Sequence, residues 1–204
     1  MRLTHKTLTA LAIALPSLVF AQASATREDA CNTGAEGGCS LSVSTVTVKI
    51  NVPLGDAGKP GAFFIGARAT TGIPGDITNI NNNTQGLWLF TPGGWVAFNG
   101  SAYTPIQSFA RMPSSQQYVV VEQQNLCQLV RDNNMELWAG YGVLQPETEQ
   151  AIDTYLTVKA PRIPPEHLRA VYVYNDMKDA KKYWNVLNMP ACYRPDTGNN
   201  NGGN

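Results

Sequence analysis

A pair of carboxylates held a few ångströms apart is enough to hydrolyse a glycan, and Glu122, Asp132, Glu136 and Glu147 are this chain's candidates for one. Glu122 follows the apolar run Val119–Val121, and Glu136 leads into Leu137 and Trp138. Both therefore read as solvent-facing positions of half-exposed strands, and a carboxylate-based glycan hydrolase is the minor reading. His167 is the only histidine after His5, and it stands in a Pro-rich connector. A Ser-His-Asp triad would have to use it, and no G-x-S-x-G stretch supplies a nucleophile. A zinc hydrolase needs more imidazoles than this. Asp56, Asp76, Asn79 and Asn81–Asn83 are oxygen donors without the spacing of a calcium loop. "GDAGKPG" lacks the strand–loop–helix setting and the Lys-Ser/Thr ending of a phosphate loop. The expectation is no enzyme, no cofactor and no metal.

What is left is aromatic. Trp88, Trp95, Tyr103, Trp138 and Tyr141 sit in or beside strand-like segments and are the candidate ligand-binding residues, because flat exposed rings stack on sugars and other planar groups. Rings also fill cores. In "LWLFTPGGWVAFNG" (87–100), Leu87 and Leu89 alternate with Trp88 and Phe90, so both faces of the strand are apolar. Such a strand is expected to be buried on both faces. Core packing leads for these rings, and a ligand platform is second.

The elements that would position them follow an export signal. Arg2 and Lys6 precede an apolar run, Leu8 to Phe20, and Ala21-Gln22-Ala23 then offers a cleavage site, with Ala23-Ser24-Ala25 as a second. The run is shorter than the ~20 residues a bilayer requires, so residues 1–23 read as a signal peptide and no membrane span is expected after its removal. Cleavage takes Arg2 and Lys6 from the 15 basic residues, leaving 13 against 15 acidic. That balance has no basic stripe, and nucleic acid is not an expected partner. The four cysteines, Cys31, Cys39, Cys127 and Cys192, all follow the signal. An even count in an oxidising compartment suggests two disulfides. Of three pairings, Cys31–Cys39 with Cys127–Cys192 is favoured, because "CNTGAEGGC" is short and Gly-rich.

Residues 24–40 read as a polar, Gly-rich leader carrying the small disulfide loop, and 41–160 as a β-rich domain. Strands are expected at 45–52, where Val46, Val48, Ile50 and Val52 alternate with polar residues, and at 61–69, 87–90, 95–98, 116–124, 135–144 and 151–159. Thr91-Pro92-Gly93-Gly94 suits a type II turn with positive φ at Gly93. Residues 70–86 read as a long loop. The C-terminal extension, 161–195, is expected to hold one more strand at 170–174 and a helix over 177–187 with Asp176 as N-cap. Residues 196–204 read as a disordered tail. The fold class is mainly β, an antiparallel β-sandwich or open barrel with a short C-terminal helical extension and two disulfides.

"FFIGARA", "GLWLFTPGGWVAFNG", "LWAGYGVL" and "YLTVK" together resemble an aromatic-hairpin, "YVGYG"-type module of secreted and cell-surface bacterial proteins. Gly94-Trp95, Asn99-Gly100 and Trp138–Gly142 carry the likeness, which spans about 61–159. It implies an accessory, binding or assembly role without an assigned activity. The long 70–86 loop, the Cys127–Cys192 staple and the C-terminal extension depart from that module.

The functional expectation is a non-enzymatic binding or assembly protein of the bacterial envelope or extracellular space. Its expected partners are other envelope or extracellular proteins, copies of itself among them, with a glycan as a second class. The structural alternative is a filament subunit that donates "TVTVKINV" to a neighbour's sheet edge.

Overall fold

The structure is a computed structural model that describes residues 22–33, 39–70, 86–100, 103–126, 130, 134–159 and 164–190, with the side chains of 31–33, 39–42 and 159 outside that description. Residues 1–21, 71–85 and 191–204 and all four cysteine side chains lie outside it too. The expected disulfides therefore fall outside the described residues.

In chain order the strands are β1 (Ala23–Thr33), β2 (Cys39–Asn51), β3 (Gly61–Ala69), β4 (Leu87–Thr91), β5 (Gly94–Ala97), β6 (Gln107–Phe109), β7 (Ser115–Gln124) and β8 (Met135–Val143). Two helices follow, α1 (Pro146–Lys159) and α2 (Pro165–Asp179), and then β9 (Tyr183–Met189). One sheet has the order β1-β2-β7 and the other β5-β4-β3-β8-β9, with β6 pairing the first residues of β3. All pairings are antiparallel. The chain is mainly β with antiparallel sheets, as its alternating segments imply.

The sheets pack face to face. Val46, Val48 and Ile50 of β2 and Val120 and Val121 of β7 share one core with Phe63, Ile65 and Ala67 of β3 and Leu137, Ala139 and Tyr141 of β8. The opposite face of the second sheet is covered as well: Ala62, Phe64, Leu87 and Leu89 meet Ile152 of α1 and Val173, Tyr174 and Met177 of α2. This double burial explains why β3 and β8 read as nearly continuous apolar runs. It also explains why β4 is apolar on both faces.

The C-terminal third departs from expectation. Residues 151–159 form the end of α1, not a strand. Ile152, Thr154 and Val158 favour β-structure, but Pro146 occupies the first turn with Glu147 and Glu149 nearby, where proline and acidic residues suit a helix start. Ile152 and Leu156, four apart, face the core, while Thr154 and Thr157 hydroxyls donate to the carbonyls four residues back, each at 2.8 Å. Residues 170–174 are likewise helical. Pro164-Pro165 starts α2 rather than marking a connector.

The helix expected at 177–187 is the end of α2, a reversal, and β9. Lys181, at φ +53°, ends α2: its N–H donates to the Lys178 carbonyl, and the Lys182 N–H to that of Met177. These two bonds form a Schellman cap with lysine in the left-handed position glycine usually takes. Asp176 is no N-cap; it lies within α2. Within the expected extension, residues 164–190 are thus no appendage, since α2 covers the second sheet and β9 extends it beside β8. Residues 23–33, within the expected signal and leader, form β1.

The hairpin β4–β5 stands where expected, with Thr91 opposite Gly94. Its turn differs: the positive φ, +102°, belongs to Gly94 and not Gly93, so the type II assignment fails. Thr91 Oγ1 supports the turn by accepting from the Gly93 N–H and donating to the Gly94 carbonyl.

Candidate functional site

The helix-facing side of β3 and β8 carries an unusual checkerboard. Arg68 lies opposite Glu136, Gly66 opposite Trp138, Phe64 opposite Gly140, and Ala62 opposite Gly142. Large side chains thus alternate diagonally with glycines. Under Gly142 the pattern lets α2 come close: a β-carbon there would overlap the Val173 carbonyl. A β-carbon at Gly140 would likewise crowd the Lys182 carbonyl, and one at Gly66 would lie 3.1 Å from the Trp88 carbonyl; an apolar cleft lies beside these two glycines.

Its floor is the backbone of Ile65–Gly66 and Ala139–Gly140, and its walls include Tyr103, Trp138, Tyr174, Met177 and Tyr183, with Thr104 and Lys178 also lining it. The open interior is about 40 Å³. The rings are fixed by contacts with one another and with residues beyond the cleft. Tyr103 stacks on Tyr174 with centroids 4.4 Å apart and planes at 9°, and it meets Phe98 at 4.5 Å. Trp138 lies 5.9 Å from Tyr183. Its indole N–H donates to Glu136 Oε2 at 3.0 Å. The same oxygen accepts from Arg68 Nη2 at 2.7 Å, and the guanidinium carbon stands 5.8 Å from the Trp138 ring centroid. A cation over the indole face and an anion at its edge hold the ring in place.

Of the five aromatic candidates, Tyr103 and Trp138 line this cleft and the other three do not. Trp88 packs against the core between the sheets. Trp95 also faces that core, 5.1 Å from Phe90, and its indole donates to the Val120 carbonyl at 2.7 Å. Tyr141 is 1% exposed, and its side chain belongs to the core between the sheets, not to the helix-facing side. The cleft's other rings, Tyr174 and Tyr183, were missed because their segments read as a strand and a helix. Gly66 in "FIGA" and the i, i+2 glycines of "WAGYG" were the available signal that backbone and rings meet closely here.

Tyr141 instead belongs to a second polar cluster. Its hydroxyl donates to Asp56 Oδ2 at 3.1 Å. Lys182 Nζ bridges Asp56 Oδ2 at 2.9 Å and Asp176 Oδ2 at 2.8 Å, and Asp176 Oδ2 also accepts from the Val143 N–H. Lys59 reaches the other Asp56 oxygen at 3.3 Å. Burial pushes the Asp56 carboxyl up, but the hydrogen bond and charge of Lys182, with Lys59 and Tyr141, outweigh it and hold Asp56 below its ordinary value. Burial works to lower Lys182, and the two carboxylates overcome it and raise the ammonium. Burial first, then the Asp56 charge, raises the Tyr141 phenol. Every partner here is already matched, so the cluster is a latch between the loop after β2, β8, α2 and β9.

The carboxylates are dispersed. Glu122 is exposed on β7, in one sheet, whereas Glu136 lies on β8, in the other, paired with Arg68. Glu147 is exposed in the first turn of α1, and Asp132 lies outside the described residues. His167 is exposed on α2. Among the described residues no group of three His, Cys, Asp or Glu could hold a metal ion, and no helix is long and apolar enough to cross a membrane. Of the proposed calcium donors, Asp56 is engaged by lysines, and 76–83 fall outside the description. The strand read as a donor, "TVTVKINV", lies in β2 and is hydrogen-bonded on one side to β1 and on the other to β7. No family model, no curated protein and no solved structure matches this chain.

Proposed function

We propose that this chain is an exported, non-enzymatic binding protein of the bacterial envelope or extracellular space, and that it holds an apolar group of a partner in the Tyr103–Trp138 cleft. The observation that carries the reading is the convergence of four rings from separate elements around a glycine floor. Apolar clefts bordered by a few placed polar groups are the usual form of a ligand site. Thr104 and Lys178 are the polar groups at this one. A glycan fits less well, because its hydroxyls need several polar partners and the lining here is mostly rings and backbone. The expected size of ligand is small: about 40 Å³ is well short of the roughly 150 Å³ of a cavity that holds benzene.

The test is titration of the exported chain with N-acetyl-leucine amide, followed by amide and indole NMR shifts. Concentration-dependent movement of the Trp138 indole resonance, abolished by Thr104→Trp at the exposed rim, is the expected result. Shifts scattered over the surface, or insensitive to the Thr104 substitution, would sink the reading. So would hydrolysis of a glycan panel that disappears in Glu136→Gln.

A further inference from the structure

We propose that the export signal is cut between Ala21 and Gln22, so that the exported chain begins at Gln22 and keeps two residues that secure its first strand. A signal peptidase reads small side chains one and three places before the bond it cuts. Three bonds here meet that need: after Ala21, with Val19 as the earlier residue; after Ala23, with Ala21; and after Ala25, with Ala23. The motif leaves all three open. The fold separates them by what each cut would remove.

Gln22 and Ala23 are built into the folded chain. The Ala23 side chain is 4% exposed and belongs to the core between the sheets. Its backbone lies opposite Ile50 in the β1–β2 ladder. The Gln22 carbonyl accepts from the Asn51 N–H at 2.6 Å, and the Gln22 side-chain oxygen lies 3.5 Å from the Tyr141 hydroxyl. A cut after Ala23 would take a methyl from the core and deprive the Asn51 N–H of that carbonyl. A cut after Ala25 would also remove Ser24 and Ala25, which stand opposite Lys49 and Val48. A cut after Ala21 removes none of these contacts. Chain ends fray unless they are tied down, and here the ties include Gln22 itself. Hydrolysis adds one water across the Ala21–Gln22 amide, leaving a carboxylate on Ala21 and an α-amino group on Gln22.

This inference rests on the export reading above and is independent of the cleft. The test is to express the full chain in a bacterial host and map the N-terminus of the exported fraction by intact mass and terminal peptide. The expected start is Gln22, either free or as the pyroglutamate that a terminal glutamine forms by losing ammonia. A start at Ser24, at Thr26 or at any other residue overturns the inference and leaves export standing. A chain found only inside the cell with its signal uncut overturns the export reading as well. The contribution to the first strand is measured by urea unfolding of the chain begun at Gln22 beside one begun at Ser24. The shorter chain should have an unfolding equilibrium constant about tenfold larger or more, for one hydrogen bond and one buried methyl lost. Equal midpoints would show that Gln22 and Ala23 do not secure the strand, against the proposal.

Discussion

Trp138 and Tyr141 are three residues apart and do opposite things. The pleat sends Trp138 to the helix-facing side, where Glu136 and Arg68 fix it beside the cleft. Tyr141 goes to the core between the sheets and sends only its hydroxyl to Asp56. Glycine is the residue that lets this face work, through close approach of α2 at Gly142 and of the Lys182–Tyr183 backbone at Gly140. Gly142→Ala is the direct check at this scale. Its β-carbon would overlap the Val173 backbone carbonyl, which cannot swing aside as a flexible side chain could. The substitution is expected to cost about 2–3 kcal/mol, the upper range for overpacking, measured by denaturant midpoint. A midpoint unchanged from wild type would show that α2 does not press on β8 in this way.

At the scale of elements, the segments with one dominant signal were legible. Period-2 alternation gave β2, and the Thr-Pro-Gly-Gly turn gave the β4–β5 hairpin. The helices were hidden because β-branched and aromatic residues crowd the end of α1 (Ile152, Thr154, Tyr155, Thr157, Val158) and 171–174 of α2, and the prolines before His167 were read as a connector. The path from α2 to β9 was hidden by Lys181, which takes a conformation that glycine would have announced. What secures that path is the latch around Lys182, whose side chain is 15% exposed.

Its pH dependence follows from the signs. Asp56 is depressed from 3.8, so its contribution is present above that value and is lost as pH falls through the lower folded one. Lys182 is raised from 10.5, so its contribution is present below that value and is lost as pH rises through the higher one. Lys182→Met leaves two carboxylates without their shared cation and is expected to cost about 2–4 kcal/mol at neutral pH, a value reduced for partial exposure. The deficit should shrink as pH falls below 3.8, because protonating Asp56 removes the charge that Lys182 answers. Urea unfolding of both proteins across that range checks it, and a deficit independent of pH would contradict the latch.

At the scale of the whole molecule, one sheet is shared by two cores, and that arrangement accounts for both what the sequence revealed and what it concealed. Rings on one face of β4 and leucines on the other announced a doubly buried strand. Nothing local announced that the second cover would be helical, because α1 and α2 are held by packing more than by their own propensity. The cleft was half legible for the same reason: Tyr103 and Trp138 lie in recognisable β-segments, and Tyr174 and Tyr183 do not.

The sheets must also be closed along their sides, where unpaired strand edges invite other chains. On one side β1 lies against β9. On the other, β7 carries Val120 as the extra residue of a bulge, between Val119 opposite Thr47 and Val121 opposite Val46. The Val120 carbonyl takes the Trp95 indole from the outermost strand of the facing sheet. Trp95→Phe keeps a ring against Phe90 and removes only that donor. It should cost about 1 kcal/mol, the usual net value of one hydrogen bond. Amide hydrogen exchange should quicken in β7 and β5 while β3 and β8 keep wild-type protection. Equal exchange in β7 with and without the indole N–H would mean that the seam is held by apolar packing alone.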